Sequence, residues 1–374
     1  MQPPQNAEHA VDPHVASGAE GVAVNAAGPA ARAEVAAVVA RTAVEGPWRS
    51  GALAALARGG VLAHFLPADC GGSAAAEPML LAVLADLARV CLTTALAVSQ
   101  WAAAVRILAS GPPETRAVWL PPLATGASFT TVGISQLTTS RRHLATPALT
   151  AVEDAGGWRL DGLCPWVTGA DSSDTIVTGA ATPDGEQMFF VVATTAAGLT
   201  VDPPLELLAL SGSRTSVVRF TGVRPCAVLP PPAAGGPRTG GLATTALAVG
   251  ATRASVAVIT EEARARPLLT PIATGLEADA QRIWTRLHAA ASTGIDPAAR
   301  DALRADANSL VLRAAQAALA ASKGAGFIAG HPVERLVRES LFFLVWSCPQ
   351  AVTTAVLCEL AGVADAPPAA MNRG

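Results

Sequence analysis

Hydroxyl side chains precede two adjacent arginines in the segment GISQLTTSRRH, near the middle of the chain. Ser135, Thr138 and Ser140 supply hydroxyl donors and acceptors, and Arg141 and Arg142 follow directly. A guanidinium presents a planar fork of N–H donors, which matches the oxygens of a phosphate in a bidentate arrangement. The segment therefore predicts either a phosphate-binding loop or a solvated loop with two surface arginines.

Trp166 and Thr168 are a second candidate pair, in the segment WRLDGLCPWVTGA. An indole buries a large area against a planar ring system and stacks on it favourably. Taken alone, the Trp-Val-Thr sequence favours a core aromatic followed by an ordinary strand residue. Trp101 and Trp346 lie in apolar segments, and core packing is the simpler interpretation for both.

The six cysteines do not follow a metal-binding pattern. No Cys-x-x-Cys pair occurs and the spacing matches no zinc framework, so we expect no bound metal. The N-terminal sequence lacks a basic segment followed by an apolar one, so we expect no secretion signal. We therefore expect a cytoplasmic protein whose thiols are reduced, at Cys70, Cys91, Cys164, Cys226, Cys348 and Cys358.

The composition predicts a globular protein with a substantial core. The 374 residues are 51% hydrophobic and 15% charged, the reverse of the composition that is typical of disorder. The formal net charge of −3 disfavours a nucleic-acid or anionic-membrane partner. The apolar run at 90–105 is too short to span a bilayer and the run at 342–358 is broken by Pro349, so we expect no transmembrane helix.

The hydrophobic pattern divides the chain into helical and β regions. Apolar residues recur at three- and four-residue steps in its first and last thirds, which is typical of helices. Between them, short Val-, Thr- and Ile-rich segments separated by Gly, Asp and Pro predict antiparallel strands, with hairpin turns at 154–157 and 183–185. The predicted order is a flexible tail at 1–29, a helical domain at 30–126, a β domain at 127–228, a Pro/Gly linker at 229–241, a helical domain at 242–365 and a tail at 366–374. In the last helical domain we expect helices at about 242–264, 276–291, 297–321 and 333–361.

Five segments, in this order, resemble motifs of the acyl-CoA dehydrogenase family. Each motif is weakly specific, but order, spacing and element types agree from about Glu34 to Gly362. The resemblance implies an α+β, mainly helical fold with an N-terminal helical lobe, a middle antiparallel β-barrel-like lobe and a C-terminal four-helix bundle. The segments are FLPADCGG at 65–72, WLPPLATGASFTTVGIS at 119–135, WRLDGLCPWVTGADSSDTIVTGA at 158–180, GLTVDPPLELLALSGSRTSVVRFTGVRP at 198–225 and GAGFIAGHPVERLVRES at 324–340.

The resemblance also implies FAD as cofactor, with the isoalloxazine ring between the β lobe and the bundle. In that arrangement Trp166 would pack against the ring and Thr168 would hydrogen-bond its N5 edge. The loop carrying Ser135, Thr138 and Ser140 would meet the flavin pyrimidine end and the pantetheine of an acyl thioester. This loop departs from the family, which usually has Thr-Glu-Pro where this chain has Ile-Ser-Gln.

The implied contacts of the bundle with the cofactor are less complete. Lys323 and Gly324 stand where the family has part of its Gln-x-x-Gly-Gly element, and Lys323 would either pair with the pyrophosphate or be a solvated cation at a helix end. The family's Arg-x-x-Phe-Gly element has no clear counterpart, with Arg264 or Arg266 as approximate substitutes. The resemblance implies a homodimer or homotetramer formed through the bundle.

The expected catalytic base is missing from the sequence. The family usually places a Glu about nine residues after the last Arg of Val-Glu-Arg-Leu-x-Arg, and this count from Arg338 reaches Ser347. Counting back from Glu359 reaches Trp346 instead. Neither residue can remove the α-proton of a thioester, and Glu339 lies about 12 Å from Ser347 along a helix axis. By resemblance, Trp346 and Trp101 would narrow the acyl cavity, and Arg141 and Arg142 would contact the substrate.

The function implied is that of a flavoprotein oxidoreductase acting on an acyl thioester, carried by CoA or by an acyl carrier protein. Because the base is missing, α,β-dehydrogenation would be altered or lost. One alternative is a flavin-dependent monooxygenase of the same fold, which does not need the Glu. The other is a non-catalytic scaffold that no longer binds FAD.

Overall fold

The computed structural model describes residues 52–138, 147–230 and 241–363. The predicted tails at 1–29 and 366–374 lie outside the described residues, as do Ser140, Arg141 and Arg142. Within the described ranges, helices run to Ala124, strands run from Thr130 to Leu229, and helices resume at Leu242. This arrangement confirms the predicted mainly helical α+β fold class.

The first helical region has two long helices at its centre. Helix α3 is buried on nearly every face, from Leu92 through Leu108, so it is a core helix and not an amphipathic surface helix. Cys91 is extended and separates α3 from the preceding helix. The region contains α1 (Ala54–Arg58), α2 (Glu77–Val90), α3 (Leu92–Ala109), α4 (Pro113–Trp119) and α5 (Pro121–Ala124).

The β region is one eight-stranded sheet in the order β6-β7-β3-β2-β4-β5-β8, with β1 paired to β4. Most neighbours are antiparallel, as predicted, but β1 and β2 both pair with β4 in parallel. The predicted hairpins are confirmed, because Asp154 pairs with Gly157 and Ala181 pairs with Gln187. The elements are β1 (Thr130–Gly133), a short helix α6 (Ser135–Thr138), β2 (Leu149–Asp154), β3 (Gly157–Val167), β4 (Thr175–Ala181), β5 (Gln187–Ala193), β6 (Leu199–Val201), β7 (Ser216–Val223) and β8 (Ala227–Leu229).

Both faces of the central strands are buried. In β5, Val191 packs into the large core shared with the helices, whereas its neighbours Phe190 and Val192 pack into a second core formed by the sheet itself. Successive side chains of a strand point to opposite faces, so one strand contributes to both cores. The sheet therefore curves around its own core and presents its other face to the helices.

The C-terminal region is a helical bundle against which α2 packs closely. A Cβ atom on Gly250 would lie 2.2 Å from the carbonyl oxygen of Ala85, so only glycine permits this approach of α7 to α2. Asp296 caps α9 by accepting hydrogen bonds from the amides of Ala298 and Ala299. The helices are α7 (Leu242–Ala265), α8 (Thr270–Thr293), α9 (Pro297–Ser322), α10 (Pro332–Ser340) and α11 (Gln350–Ala361).

The predicted single helix at 333–361 is wrong. It divides into α10, a 3-10 helix at Leu341–Leu344, a turn, and α11. Pro349 has no amide hydrogen and disfavours helical geometry at the residue before it, and Ser347 is left-handed with φ of 48°. Helix α8 begins at Thr270 instead of 276, because Pro271 fits the first turn of a helix.

Two helices, Leu92–Ala109 and Leu242–Ala265, are long and apolar enough to cross a membrane by length and composition alone. In each helix 67% of the apolar window is buried inside the fold. Core helices of globular proteins have the same pattern, and both helices contribute to the large core described above.

Candidate functional site

A cavity of about 540 Å³ lies between the sheet and the C-terminal bundle. This volume is within the range of small-molecule and cofactor sites. The cavity is lined by residues of α3, the ends of β1 and β3, the loop before β7, and the segment that follows α10. These residues are Leu96, Gln100, Val132, Ile134, Ser135, Trp166, Thr168, Leu207, Leu208, Ala209, Leu210, Ser213, Thr215, Arg338, Leu341, Phe342, Leu344, Val345, Trp346 and Ser347.

A β-bulge in β3 directs Trp166 into this cavity. Cys164 pairs with Val218 and Val167 pairs with Ser216, so three steps along β3 match two along β7. The extra residue falls at Pro165–Trp166, where Pro165 has no amide hydrogen to donate to the ladder. Trp166 consequently keeps 48% of its surface exposed, although the residues on either side of it are buried.

Three hydroxyls of the sheet wall form a hydrogen-bonded chain. Thr168 Oγ1 lies 3.2 Å from Thr215 Oγ1, which in turn lies 2.8 Å from Ser213 Oγ. All three residues are buried and line the cavity. The hydroxyl of Thr131 donates to the carbonyl of Thr168 at 2.8 Å and fixes the end of β3.

The loop that supplies Ser213 and Thr215 has two residues in left-handed conformations. Leu210 has φ of 65° and Arg214 has φ of 50°, on either side of a 3-10 helix at Ser211–Ser213. Arg214 Nε donates to Asp171 at 2.7 Å, which anchors the loop on the segment after β3. Strained backbone held by the surrounding structure is typical of ligand-binding sites.

Ser135 reaches the cavity from the first turn after β1, where a buried polar network holds the chain. Gln136 donates to the carbonyl of Gly179 at 2.8 Å and accepts from the thiol of Cys164 at 2.9 Å. Burial raises the pKa of Cys164 to about 11, so this thiol stays protonated and acts as a hydrogen-bond donor. These hydrogen bonds hold the start of α6, just before the described range 52–138 ends.

The bundle wall is the segment 341–347, a 3-10 turn followed by irregular chain. Trp346 stacks on Phe342, with ring centroids 4.8 Å apart and planes at 22°. Both aromatic side chains line the cavity, and Ser347 completes the wall. An aromatic surface therefore stands where the resemblance to the family would place a carboxylate.

Arg338 is the one charged residue among the cavity-lining residues that the structure describes. It forms a bidentate pair with Glu334 and donates to the carbonyl of Leu208 at 3.1 Å. The hydrogen bond from Arg338 lowers the pKa of Glu334, so the pair is ionised and mutually neutralised. Glu339 is buried outside the cavity lining, with Arg335 Nε at 3.8 Å from its carboxylate.

The structure brings four of the predicted site residues to one cavity: Ser135, Trp166, Thr168 and Trp346. It does not bring Trp101 there. Trp101 is fully buried and packs edge-to-face on Phe65, while its neighbour Gln100 lines the cavity. The residues of α3 that line the cavity are Leu96 and Gln100, four positions apart and therefore on one face of the helix, whereas Trp101 points about 100° away from Gln100.

Lys323 and Gly324 are exposed at the end of α9 and are not among the described residues that line the cavity. Thr138 ends the short helix α6, and Ser140, Arg141 and Arg142 lie outside the described residues.

Sequence reasoning missed four residues that line the cavity: Gln100, Ser213, Thr215 and Arg338. Gln100 could have been found, because it is a polar residue inside an otherwise apolar helical segment.

Comparisons with known proteins agree with this architecture. A family model described as "Acyl-CoA dehydrogenase, N-terminal domain" matches residues 24–127. Over 175 residues the chain is 25% identical to the probable acyl-CoA dehydrogenase YngJ of Bacillus subtilis (strain 168). That match covers 44% of this chain and 45% of the relative, so it spans less than half of the relative's length.

Solved structures extend the likeness to nearly the whole chain. Glutaryl-CoA dehydrogenase from Mycobacterium smegmatis matches with a TM-score of 0.73 and 21% identity, over 89% of this chain and 94% of that one. Butyryl-CoA dehydrogenase from Megasphaera elsdenii matches with a TM-score of 0.75 and 16% identity, over 88% of this chain and 96% of that one. At these identities the similarity establishes the fold.

Proposed function

We propose that this chain is a flavoprotein oxidoreductase of the acyl-CoA dehydrogenase family, which binds FAD and acts on an acyl thioester. The observation that carries this proposal is the cavity of about 540 Å³ with Trp166 and Thr168 on the sheet side and Trp346 on the bundle side. When bound, FAD would supply two-electron redox chemistry.

The sheet wall fits the ring end of a flavin. Trp166 offers a half-exposed indole, against which a planar ring can pack, and Thr168 offers a hydroxyl two residues later. The chain from Thr168 to Thr215 to Ser213 orients these hydroxyls before any ligand arrives. Ser135 adds a further polar group at the same wall.

The remainder of the cavity fits an apolar acyl group. Its lining includes five leucines, at positions 96, 207, 210, 341 and 344. Arg338, the charged residue among the described lining residues, is paired with Glu334. An uncharged alkyl chain would gain from leaving water in such a pocket. The solved relatives named above act on acyl-CoA compounds by their names, and this chain is proposed to take an acyl group on CoA or on an acyl carrier protein.

Proton removal distinguishes this cavity from that of an ordinary dehydrogenase. α,β-Dehydrogenation removes a proton from the α-carbon and a hydride from the β-carbon, and the proton needs a base within hydrogen-bond reach. The described residues that line the cavity include no carboxylate and no histidine. We therefore propose that none of the described lining residues acts as a carboxylate base, and that α,β-dehydrogenation is altered or lost.

The lack of a carboxylate among these lining residues favours a second candidate function, a flavin-dependent monooxygenase. In that reaction reduced flavin and dioxygen supply the electrons and the oxygen atom, one oxygen atom enters the substrate and the other leaves as water. No α-proton abstraction is required, so a wall made of Trp346 and Ser347 would be compatible with the chemistry.

Spectroscopy of the purified full-length protein tests these proposals in sequence. Flavin absorbance, present on purification or gained after addition of FAD and gel filtration, is expected. A colourless protein that retains no FAD would instead support a non-catalytic scaffold. Anaerobic bleaching by an acyl-CoA would show dehydrogenation, whereas oxygen consumption that requires both reduced flavin and the thioester would show oxygenation.

A further inference from the structure

Two buried polar side chains of α9 lie directly behind the bundle wall of the cavity. Arg304 is 2% exposed and Asn308 is fully buried, one helical turn later. Arg304 Nε donates to Asn308 Oδ1 at 2.9 Å, so the two side chains form one unit. Neither residue lines the cavity, and sequence reasoning singled out neither of them.

This unit holds the backbone of the wall at two carbonyl groups. Arg304 Nη2 donates to the carbonyl oxygen of Trp346 at 3.0 Å, and Asn308 Nδ2 donates to that of Phe343 at 2.8 Å. The thiol of Cys348 contacts the same carbonyls, at 3.3 Å from Phe343 and 3.5 Å from Trp346. The two held carbonyls belong to the 3-10 turn and to the irregular chain after it.

The wall needs such support because it is not a regular helix. Between α10 and α11 the segment contains a short 3-10 helix, a left-handed Ser347 and the following Pro349. Carbonyl groups in such a segment lack the repeating partners of an α-helix and need other donors when they are buried. Arg304 and Asn308 supply those donors from a rigid helix of 26 residues.

Burying an arginine here is costly, so its contacts indicate a specific role. Desolvation lowers the pKa of Arg304 to about 10, and the side chain nevertheless stays charged at neutral pH. A charged group taken out of water destabilises a protein unless hydrogen bonds satisfy it. An apolar side chain would fill the same space without that cost, but it would leave the carbonyl of Trp346 without this donor.

We propose that Arg304 and Asn308 are positioning residues that fix the bundle wall at 341–347 and thereby hold Trp346 and Ser347 in the cavity. Arg304 holds the wall at Trp346, and Asn308 holds it at Phe343. The effect of this unit on ligand affinity rests on the proposed binding of FAD. The effect of this unit on the conformation of the wall does not depend on FAD binding, so the positioning role and the proposed function can be tested separately.

Hydrogen–deuterium exchange of the flavin-free full-length chain tests the positioning directly. The variants are Arg304→Met, Asn308→Leu and the conservative Arg304→Lys. The control is Arg253→Met, which removes an arginine that donates to Glu277 and Gln281 on α8, away from the cavity. Loss of one buried hydrogen bond, which leaves a wall carbonyl without this donor, should speed amide exchange in 341–348 by about tenfold.

The expected result is faster exchange in 341–348 for Arg304→Met and Asn308→Leu, an intermediate rate for Arg304→Lys, and the wild-type rate for Arg253→Met. Unchanged exchange in 341–348, in variants that fold, would overturn the proposal. Equal acceleration throughout the molecule would overturn it as well, because that pattern shows a general loss of stability. Should Arg304→Met not fold, Asn308→Leu and Arg304→Lys decide the matter.

Titration of each variant with FAD, followed by visible absorbance, tests the consequence for the cavity. Variants with faster exchange in the wall should bind FAD about tenfold more weakly than wild type and the Arg253→Met control. If wild type binds FAD and these variants bind it equally well, the positioning role in binding is wrong. If wild type binds none while the exchange pattern holds, the wall assignment stands and the proposed function fails.

Discussion

Trp346 stacks on Phe342 at 4.8 Å, and this aromatic pair forms the face of the cavity at which the related motif pattern would place a catalytic Glu. The stack belongs to the bundle wall, whereas Trp166, near the end of β3, and Thr168, directly after β3, belong to the sheet wall. The described wall therefore presents aromatic rings to the cavity at the positions where the motif count would place a carboxylate.

Restoring a carboxylate at this wall should restore dehydrogenation. Ser347→Glu leaves the stack of Trp346 on Phe342 in place and adds a carboxylate to a residue that lines the cavity. Because a positioned general base contributes about 10²- to 10⁴-fold to such reactions, we expect at least a hundredfold faster anaerobic bleaching of bound flavin by an acyl-CoA. Stopped-flow absorbance measures this rate.

Ser347→Gln is the matched control for that experiment, because it has nearly the same shape without the charge. Its bleaching rate should equal that of wild type. The rate for Ser347→Glu should also rise with pH as the carboxyl group ionises, whereas that of Ser347→Gln should not. Equal rates for the two variants would show that a base at this position is not what the cavity lacks.

Removing the indole of Trp166 should weaken flavin binding. Trp166→Ala deletes the half-exposed ring at the bulge of β3, where a flavin ring is proposed to stack. Trp158→Ala is the control, since Trp158 is on the same strand but packs against Phe190, with ring centroids 5.7 Å apart. A lost aromatic contact is worth about 1 kcal/mol beyond its buried area, so we expect at least a tenfold rise in the Kd for FAD with Trp166→Ala.

Fluorescence titration with FAD gives both dissociation constants. Trp158→Ala should lower the thermal midpoint of unfolding, because it leaves a gap beside the sheet core, yet bind FAD as wild type does. A wild-type Kd for Trp166→Ala would remove Trp166 from the site. The Kd for FAD of a Thr168→Ala variant would then test whether the flavin binds elsewhere in the same cavity.

Trp166 and Thr168 were predicted as site residues through the resemblance to the acyl-CoA dehydrogenase motifs. The Trp-Val-Thr sequence alone favours a core aromatic, because it does not reveal the bulge of β3 that leaves Trp166 half-exposed. Trp101 was misplaced because the apolar pattern of α3 runs around nearly the whole helix and does not reveal which face meets the cavity. Arg304 was missed because an arginine in a helical pattern ordinarily faces solvent, and its burial depends on a turn 42 residues later.

Gly250 should be intolerant of any larger side chain. A Cβ there would meet the carbonyl oxygen of Ala85 at 2.2 Å and the side chain of Ala88 at 2.8 Å, so Gly250→Val must push α7 away from α2. Overpacking of this kind typically costs about 1–3 kcal/mol of the free energy of unfolding. Urea denaturation followed by circular dichroism measures the change.

Gly275 supplies the opposite control, because it lies within α8 and a Cβ there would have no atom within 4 Å. Gly275→Ala should stabilise the protein by roughly 0.5–1 kcal/mol, since alanine has the higher helix propensity and restricts the unfolded chain. A destabilising Gly275→Ala, or a neutral Gly250→Val, would contradict the helix packing described above.

Glu339 should make the protein less stable as the pH rises. Burial raises the pKa of this carboxyl group to about 7, and the nearby charges of Arg335 and Arg338 only partly offset that effect. A pKa that is higher in the folded state than in the unfolded chain means that folding favours the protonated form. The contribution of Glu339 to stability is therefore complete below the pKa that its carboxyl group has in the unfolded chain. This contribution is lost as the pH increases through about 7.

Glu339→Gln should remove this dependence, because the amide stays neutral. We expect the variant to gain roughly 2–3 kcal/mol relative to wild type between pH 4 and pH 8.5, measured as the difference in free energy of unfolding by urea at the two pH values. Glu334→Gln is the comparison with the opposite sign, because the pKa of Glu334 is lowered by its hydrogen bond with Arg338. That variant should lose stability relative to wild type at pH 8.5 and lose less of it at low pH. A wild type and a Glu339→Gln variant with parallel pH profiles would show that Glu339 is not held in an environment that favours its neutral form.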